Sequence, residues 1–320
     1  MKKKWLIGLM VLCLSFATIA FVGCGENDNG DNTNTEQGGG NENDDTQGGD
    51  NSNDSTPTPE TPDGAEENED IITPVIAEGL EYEESEDGTY YIVTGIGACE
   101  DTDIIIPSTH NGKPVKEIGD FAFDFCRGLT SVVIADNIES IGIASFIDCR
   151  ELTRIDISSN VKVINLGAFA YCNNLVNINV SDNNQNYKDI EGNLYTKDGK
   201  VLMQYATGKT ETFFAIPDSV ATIDSCSFAG CKSLANITIP SSVENINEDA
   251  FYECNRLVEI VNKSAHITVE KGEDSNGCLG KHALAIYNSE DVFTRTKLSN
   301  DNGYIVYADG DEKILLGYVG

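Results

Sequence analysis

Residues 122–152, AFDFCRGLTSVVIADNIESIGIASFIDCREL, decide the fold because they hold one complete repeat and the start of the next. Within this stretch a Phe, a Cys and a Leu, each three residues apart, return 23 residues later in the same order. Such Phe-x-x-Cys-x-x-Leu units begin at Phe123, Phe146, Phe169, Phe228 and Phe251. A fixed period of this length indicates a stack of small units, none of which buries its apolar face alone. Such a stack presents a long surface and needs no catalytic centre, so the pattern favours binding.

Each unit also contains an apolar-x-apolar strand and, after it, a Val-x-x-Ile pair. The predicted strands are Val132-Val133-Ile134, Ile155-Asp156-Ile157, Ile178-Asn179-Val180 and Ile237-Thr238-Ile239. Alternate side chains of a strand point to opposite faces, and strands stacked about 4.8 Å apart form one parallel sheet. The spacing of Phe and Cys suits a single helical turn that faces inward. The sequence therefore predicts an α/β solenoid of 23-residue units with a parallel sheet and short helical turns.

The repeat is interrupted once, because Val180 and Ile216 occupy equivalent strand positions but are separated by a longer segment. This segment contains the turn pair Asp198-Gly199 between apolar runs, which indicates a β-hairpin. We therefore predict a signal segment at 1–24, a tether at 25–72 and an N-terminal hairpin cap at 73–103. The repeats follow at 104–262 with a hairpin insert at 181–215, and a non-repeat cap with a β-hairpin occupies 263–320.

The first 24 residues are typical of a bacterial export signal, with Lys2, Lys3 and Lys4 before an apolar run. The run ends at Phe21-Val22-Gly23-Cys24, which resembles a lipobox whose Cys becomes a lipidated N-terminus. The alternative is an ordinary secretory signal with a nearby Cys. In either case we expect an exported protein, and with lipidation at Cys24 we expect a membrane-anchored lipoprotein on the bacterial cell surface.

The tether and the overall charge restrict the class of partner. Residues 25–70 contain no Val, Ile, Leu, Met or aromatic residue, so they cannot bury enough apolar area to offset their ordering entropy. The formal net charge of the chain is −32, and no Lys or Arg occurs from 25 to 112. Because so acidic a surface repels phosphate backbones and anionic lipid headgroups, we expect no nucleic-acid partner and membrane attachment only through a lipid.

Several motifs resemble the BspA-like leucine-rich repeats of bacterial surface proteins. The recurrent Ile-Pro, Val-x-x-Ile and Ala-Phe-x-x-Cys elements carry the resemblance, together with residues 91–96 (YIVTGI) and 111–115 (NGKPV). It covers about 80–320, although Ser145 and Ser227 replace the Ala before the Phe. The resemblance implies a right-handed leucine-rich-repeat solenoid and a cell-surface role in adhesion to host or neighbouring-cell molecules. It brings no catalytic residue with it.

Enzymatic and metal chemistry find little support in the residues. The chain has ten Cys, of which five occupy an apolar repeat position; these form either a ladder of free thiols, since Cys packs as a small hydrophobe, or stacked disulfides. The three His, His110, His266 and His282, lack metal-ligand spacing. No local nucleophile motif occurs. We therefore expect no enzyme activity, no metal and no cofactor.

The outward positions of the predicted sheet form the candidate binding face. They are mostly small and polar: Ser131, Arg154, Asp156, Asn177, Asn179, Asn236, Thr238 and Glu259. The expected function is a surface-exposed binding or adhesion module for a protein, extracellular-matrix or host-surface ligand. The alternatives are a merely soluble sheet face on a structural spacer that displays further domains, or a glycan-capturing surface lipoprotein. A tyrosine patch at Tyr187, Tyr195 and Tyr205 is a rival site, which packing within the hairpin explains equally well.

After Leu257 the repeat pattern is lost, so we expect a non-repeat segment to cover the end of the stack. The apolar run at 314–316 follows a turn at Asp309-Gly310, as in the earlier hairpins that lead into a repeat. By that analogy we expect the chain to be a truncated member of a longer design, with an apolar C-terminal edge that promotes self-association.

Overall fold

The computed structural model describes residues 75–288 and, beyond them, the backbone of three strands between 296 and 318. The predicted signal segment with Cys24, the tether and the other residues after 288 lie outside the described residues. Within the described part, no helix is long and apolar enough to cross a membrane.

Short strands make up nearly all the regular structure, because each unit turns after two to six residues of extended chain. In order they are β1 (Val75–Ile76), β2 (Glu81–Glu84), β3 (Tyr91–Gly95), β4 (Asp103–Ile106), β5 (Thr109–His110), β6 (Lys113–Ile118), β7 (Ser131–Ile134), β8 (Ser140–Ile141), β9 (Arg154–Ile157), β10 (Val163–Ile164), β11 (Asn177–Val180), β12 (Tyr187–Ile190), β13 (Asn193–Thr196), β14 (Val201–Gln204), β15 (Phe213–Ala215), β16 (Thr222–Ile223), β17 (Asn236–Ile239), β18 (Asn245–Ile246), β19 (Glu259–Asn262), β20 (Ala285–Tyr287), β21 (Thr296–Ser299), β22 (Tyr304–Asp309) and β23 (Glu312–Tyr318). A four-residue helix, α1, spans Ser275–Cys278.

The strands form five sheets, four within the repeat stack and a small one at the C-terminal end. Sheet 1 has the order β1-β4-β7-β9-β11 and continues after the interruption as sheet 4, β15-β17-β19-β20. Sheet 2 has the order β10-β8-β6-β3-β2, and sheet 3 has the order β12-β13-β14-β16-β18. Strands β21, β22 and β23 form sheet 5. The repeat sets the register of sheet 1, in which Val132 pairs with Ile155 and Ile155 with Ile178, all in parallel. The predicted solenoid with its 23-residue spacing is confirmed.

The equivalent residues of successive units stack in the core. The rings of Phe123 and Phe146 lie 4.9 Å apart and nearly parallel, and Phe228 and Phe251 lie 4.7 Å apart. All five repeat Phe side chains are fully buried, and burial of one such side chain contributes roughly 1.5–3 kcal/mol. The eight cysteines of the described region form no disulfide with one another. The thiol of Cys149 donates a hydrogen bond to the carbonyl of Phe123 at 3.0 Å.

The insert is a three-stranded antiparallel segment that joins two parts of the core. Strands β12, β13 and β14 pair in sequence, and β14 then pairs in parallel with β16. Leu194 of β13 belongs to the N-terminal apolar cluster, whereas Tyr195 belongs to the C-terminal cluster. The Tyr205 ring stacks on Phe228 at 4.9 Å and so extends the Phe ladder. Of the two explanations for Tyr187, Tyr195 and Tyr205, a rival surface patch and packing within the hairpin, the structure agrees with packing, because all three are buried.

The Phe-x-x-Cys segments form the third side of the stack, which we call the turn face. Four of the five segments close with a hydrogen bond from the Cys amide to the Phe carbonyl, 2.9 Å long between Cys231 and Phe228. They are turns rather than helices, and α1 is the one helix in the described region. The predicted helical turns are therefore not confirmed.

Candidate functional site

Sheet 1 brings five residues of the predicted binding face together, and their side chains hydrogen-bond largely to one another. Arg154 is exposed and pairs with Asp156 at 3.0 Å. The Asn179 amide donates to the Asp156 carboxylate at 2.7 Å, and the Ser131 hydroxyl donates to Asp103. Asn177 is exposed beside them. This part of the face is polar and its groups largely satisfy each other, as a solvated sheet surface requires.

Sheet 4 carries the other three residues of the predicted face, and here the expectation of exposure is wrong for two. Asn236 and Glu259 are only 5% and 3% exposed, whereas Thr238 is half-buried. Both lie in inner strands, with Phe213 beside Asn236 and Ala285 beside Glu259 in register. In the amide orientation that satisfies its groups, Asn236 donates to the Glu259 carboxylate at 2.6 Å. These two side chains therefore satisfy each other inside the sheet.

A groove of about 380 Å³ opens on the turn face instead. Its lining comes from four successive units: Asp148, Arg150, Tyr171, Asn173, Gly230, Lys232, Glu253, Asn255 and Arg256. The groove crosses the position of the insert, where both long sheets are interrupted. It remains continuous there because the Tyr171 amide donates to the Ala229 carbonyl at 3.4 Å, and the Gly230 amide to the Tyr252 carbonyl at 2.9 Å.

A left-handed backbone position in every unit produces this groove. The residue before each repeat Cys has a positive φ: Phe125, Asp148, Tyr171, Gly230 and Glu253. A non-glycine residue in this conformation costs roughly 1–2 kcal/mol, so the turn geometry is imposed by the stack. Gly230 is the one member of this column without a side chain. A Cβ atom there would lie 2.7 Å from the Tyr171 ring and 2.9 Å from the Asn173 side-chain amide group. Because Gly230 has no side chain, the space beside Tyr171 and Asn173 stays empty and forms part of the groove.

At one end of the groove a buried carboxylate holds two arginines. The Asp148 side chain is only 2% exposed, and it accepts from Arg150 Nε at 2.7 Å and from Arg127 at 3.2 Å. Both guanidinium groups are about half exposed. Through this short ion pair Asp148 holds the Arg150 side chain along the groove wall.

Two further cations line the opposite side. Lys232 and Arg256 have no carboxylate within salt-bridge distance among the described residues. In the orientation that satisfies its amide, Asn173 donates to the Gly230 carbonyl at 3.0 Å and accepts from Lys232 Nζ at 3.3 Å. The Nε of Arg256 is buried and makes no hydrogen bond within the described structure. The groove lining thus includes three cationic side chains, and the Nε of Arg256 has no acceptor within the described structure.

The floor of the groove is apolar and rigid. Tyr171 is 7% exposed and packs in a small cluster with Ala144, Ala170 and Cys226. Burial, followed by the charge of Glu253, raises the pKa of the Tyr171 phenol far above its ordinary value. Tyr171 is therefore a neutral phenol at every physiological pH. Among the described residues no group of three or more His, Cys, Asp or Glu could hold a metal ion, and the arrangement is suited to binding a polar ligand.

Sequence reasoning missed the groove, although one signal for it is present. The residue after each repeat Cys is Arg127, Arg150, Asn173, Lys232 or Asn255. Read as a column with the repeat period, these positions are basic or amide-bearing in a chain that is otherwise strongly acidic. A column of this kind predicts a cationic strip on the turn side of the stack.

Comparisons with known proteins agree with the repeat pattern. The family model described as BspA type leucine rich repeat region matches residues 98–196 and 205–273 in six copies, a little over half of the chain. Proteins of this family are typically bacterial surface proteins, and their repeat stacks are typically non-enzymatic scaffolds. No curated protein matches the sequence.

Three solved structures illustrate the likeness. A leucine-rich repeat protein of Eubacterium ventriosum is 22% identical, with 66% of this chain and 67% of that chain covered and a TM-score of 0.39. The leucine-rich repeat protein of T. pallidum is 23% identical, with coverages of 64% and 88% and a TM-score of 0.41. The pneumococcal vaccine antigen PcpA is 18% identical, with coverages of 60% and 57% and a TM-score of 0.42. On the extent of the family match, this chain belongs to the BspA-type leucine-rich repeat family.

Proposed function

We propose that this protein is an exported, lipid-anchored binding module that uses the groove on its turn face to hold a partner protein at the bacterial surface. The observation that supports this most is the presence of Lys232 and Arg256 in the groove without a carboxylate partner among the described residues. Because the formal net charge of the chain is −32, a groove lined by cations without a carboxylate partner in the described part of the chain is a distinctive local feature. Charged groups arranged in this way give specificity and orient an approaching partner.

The binding proposal is tested with the full mature chain on a sensor surface, against a panel of extracellular-matrix proteins and glycans. We expect saturable binding to a protein partner that the double variant Lys232→Ala, Arg256→Gln loses. The double variant Lys116→Ala, Lys162→Ala, which removes two exposed cations that pair with Glu139 outside the groove, is the matched charge control and should bind normally. Loss of binding with Arg154→Gln alone would assign recognition to the predicted sheet face. Saturable binding only to glycans would favour the glycan-capturing alternative, and the absence of any saturable binding would favour the spacer.

The anchor is tested separately, because it depends on Gly23-Cys24 and not on the groove. Replacement of Cys24 by Ala removes the thiol to which a lipid would attach. We expect this variant to leave the membrane fraction or to remain unprocessed. Fractionation and gel migration identical to those of the wild type would contradict lipidation and leave an ordinary secretory signal.

A further inference from the structure

The groove lining contains a hydrogen-bond donor whose acceptor is absent from the described structure. Arg256 Nε is buried and makes no hydrogen bond there. A buried donor without an acceptor carries a desolvation penalty that a ligand acceptor removes. Lys232 is held over the groove by Asn173, and Arg150 is held by Asp148. Three cationic side chains therefore line the same groove.

The charge of the surroundings decides what kind of anion fits. The chain is strongly acidic overall, and the carboxylates of Asp148 and Glu253 line the same groove. A polyanion with closely spaced charges would meet repulsion from both. A single carboxylate flanked by neutral groups avoids that repulsion and matches the planar fork of a guanidinium group in two parallel hydrogen bonds.

The shape of the groove favours an extended chain. It runs across four stacked units, which at about 4.8 Å per unit gives a length of roughly 15 Å. An extended peptide of four or five residues, at about 3.3 Å per residue, covers this length. The amides of Asn173 and Asn255 lie along it and are suited to both groups of a peptide bond.

We infer that the groove binds an extended segment of a partner protein through one Asp or Glu carboxylate, which is held by Arg150, Lys232 and Arg256. This inference rests on the proposed binding function and specifies its recognition chemistry. The acidic residue provides the charge, and its neutral neighbours lie over Tyr171 and Gly230 at the groove floor.

The inference is tested by nuclear magnetic resonance on the full mature chain. The sequence contains five arginines, so the Arg Nε–H region of a nitrogen–proton correlation spectrum is simple, and variant Arg256→Gln assigns one signal. The probe is the capped pentapeptide acetyl-Gly-Gly-Glu-Gly-Gly-amide, and the same peptide with Gln is its control. We expect the Arg256 signal to shift saturably with the Glu peptide and at least about tenfold more weakly with the Gln peptide, as for loss of a charge-assisted pair.

Three other outcomes overturn the inference. Equal responses to the two peptides would remove the carboxylate from the recognition chemistry. A stronger response to sodium glucuronate than to the Glu peptide would replace the protein segment by an acidic sugar. A shift confined to the Arg154 signal would move recognition to sheet 1. If a panel partner binds through the groove and the peptides do not differ, the proposed function stands and this inference alone fails. If the peptides differ and no partner binds saturably, only the proposed function fails.

Discussion

At the scale of single residues, two serines deviate from the repeat at a cost to stability. The hydroxyls of Ser145 and Ser227 are buried and have no hydrogen-bond partner within the described structure. Both occupy the position that holds Ala in the other complete units. Their side chains are small enough for the core, so the stack tolerates them despite the unsatisfied oxygen.

We expect Ser145→Ala and Ser227→Ala each to raise the free energy of unfolding by about 0.5–2 kcal/mol, because each removes a buried unsatisfied group. Ser158→Ala is the matched control, since the Ser158 hydroxyl donates to the Ala135 carbonyl at 3.1 Å; it should leave stability unchanged or lower it. Urea denaturation of the three variants measures this. A loss of stability in Ser145→Ala comparable with that in Ser158→Ala would contradict the prediction.

The buried thiols give a second residue-scale prediction. Burial raises the pKa of Cys254 well above the ordinary thiol value. Because the thiolate is the reactive form, we expect Cys254 to resist iodoacetamide at about pH 8.5 in the folded protein and to react fully in denaturant. The pKa of the Cys254 thiol is therefore higher in the folded protein than in the unfolded one. The contribution of this thiol to the free energy of unfolding is fully present below about pH 8.5 and is lost as the pH rises further. Mass spectrometry of labelled peptides tests the reactivity. Labelling of Cys254 at the same rate in the native and unfolded protein would show that the site is open.

At the scale of the structural elements, the turn face depends on Gly230. Its φ is +76°, and a Cβ atom would meet the Tyr171 ring at 2.7 Å. Gly112 has a φ of +78° with nothing within 4 Å of such an atom. The two glycines therefore share the backbone strain of a substitution and differ only in the steric conflict.

We expect Gly112→Ala to cost about 1–2 kcal/mol and Gly230→Ala to cost about 1–3 kcal/mol more, because overpacking adds to the strain. The Gly230 variant should also displace Tyr171 and narrow the groove. Unfolding free energies and the near-ultraviolet circular dichroism of the tyrosines measure the two effects. Equal losses in both variants would mean that Tyr171 moves aside without cost.

The repeat period of the sequence predicts some features of the structural elements and fails for others. The period predicts the strands, their parallel register and the Phe ladder, because these depend on residues that recur at one spacing. It fails for Asn236 and Glu259, since their burial depends on neighbouring strands that begin at Phe213 and Ala285. It fails for the groove as well, because the groove arises from one absent side chain and a contact across the insert.

At the scale of the whole molecule, self-repulsion opposes the folded state. The formal net charge is −32, and a net charge this far from zero destabilises the compact form. Salt shortens the range of the repulsion, from about 30 Å at 0.01 M to about 10 Å at 0.1 M. The ion pairs of the described surface, such as Lys162 with Glu139, each contribute only about 0–1 kcal/mol.

We therefore expect the urea midpoint of the full chain to rise between about 10 mM and about 300 mM sodium chloride, since weaker self-repulsion outweighs weaker surface ion pairs. A sucrose series provides the control for effects of an added solute that does not screen charge. Urea titrations followed by circular dichroism measure the midpoint. A fall in the midpoint with sodium chloride would show that attractive ion pairs dominate the electrostatics of this protein.

The hydrogen bond between Tyr171 and Ala229 keeps the turn face continuous where both long sheets are interrupted. The exposed parts of the hairpin insert, outside the packing of Leu194, Tyr195 and Tyr205, can therefore change during evolution while the groove is inherited unchanged. Duplication of one unit acts differently, because it extends the turn face by about 4.8 Å and adds a new side chain to each column. An insertion in the hairpin and a duplicated repeat unit of similar length thus have opposite consequences. The first leaves recognition by the groove unchanged, and the second changes its specificity.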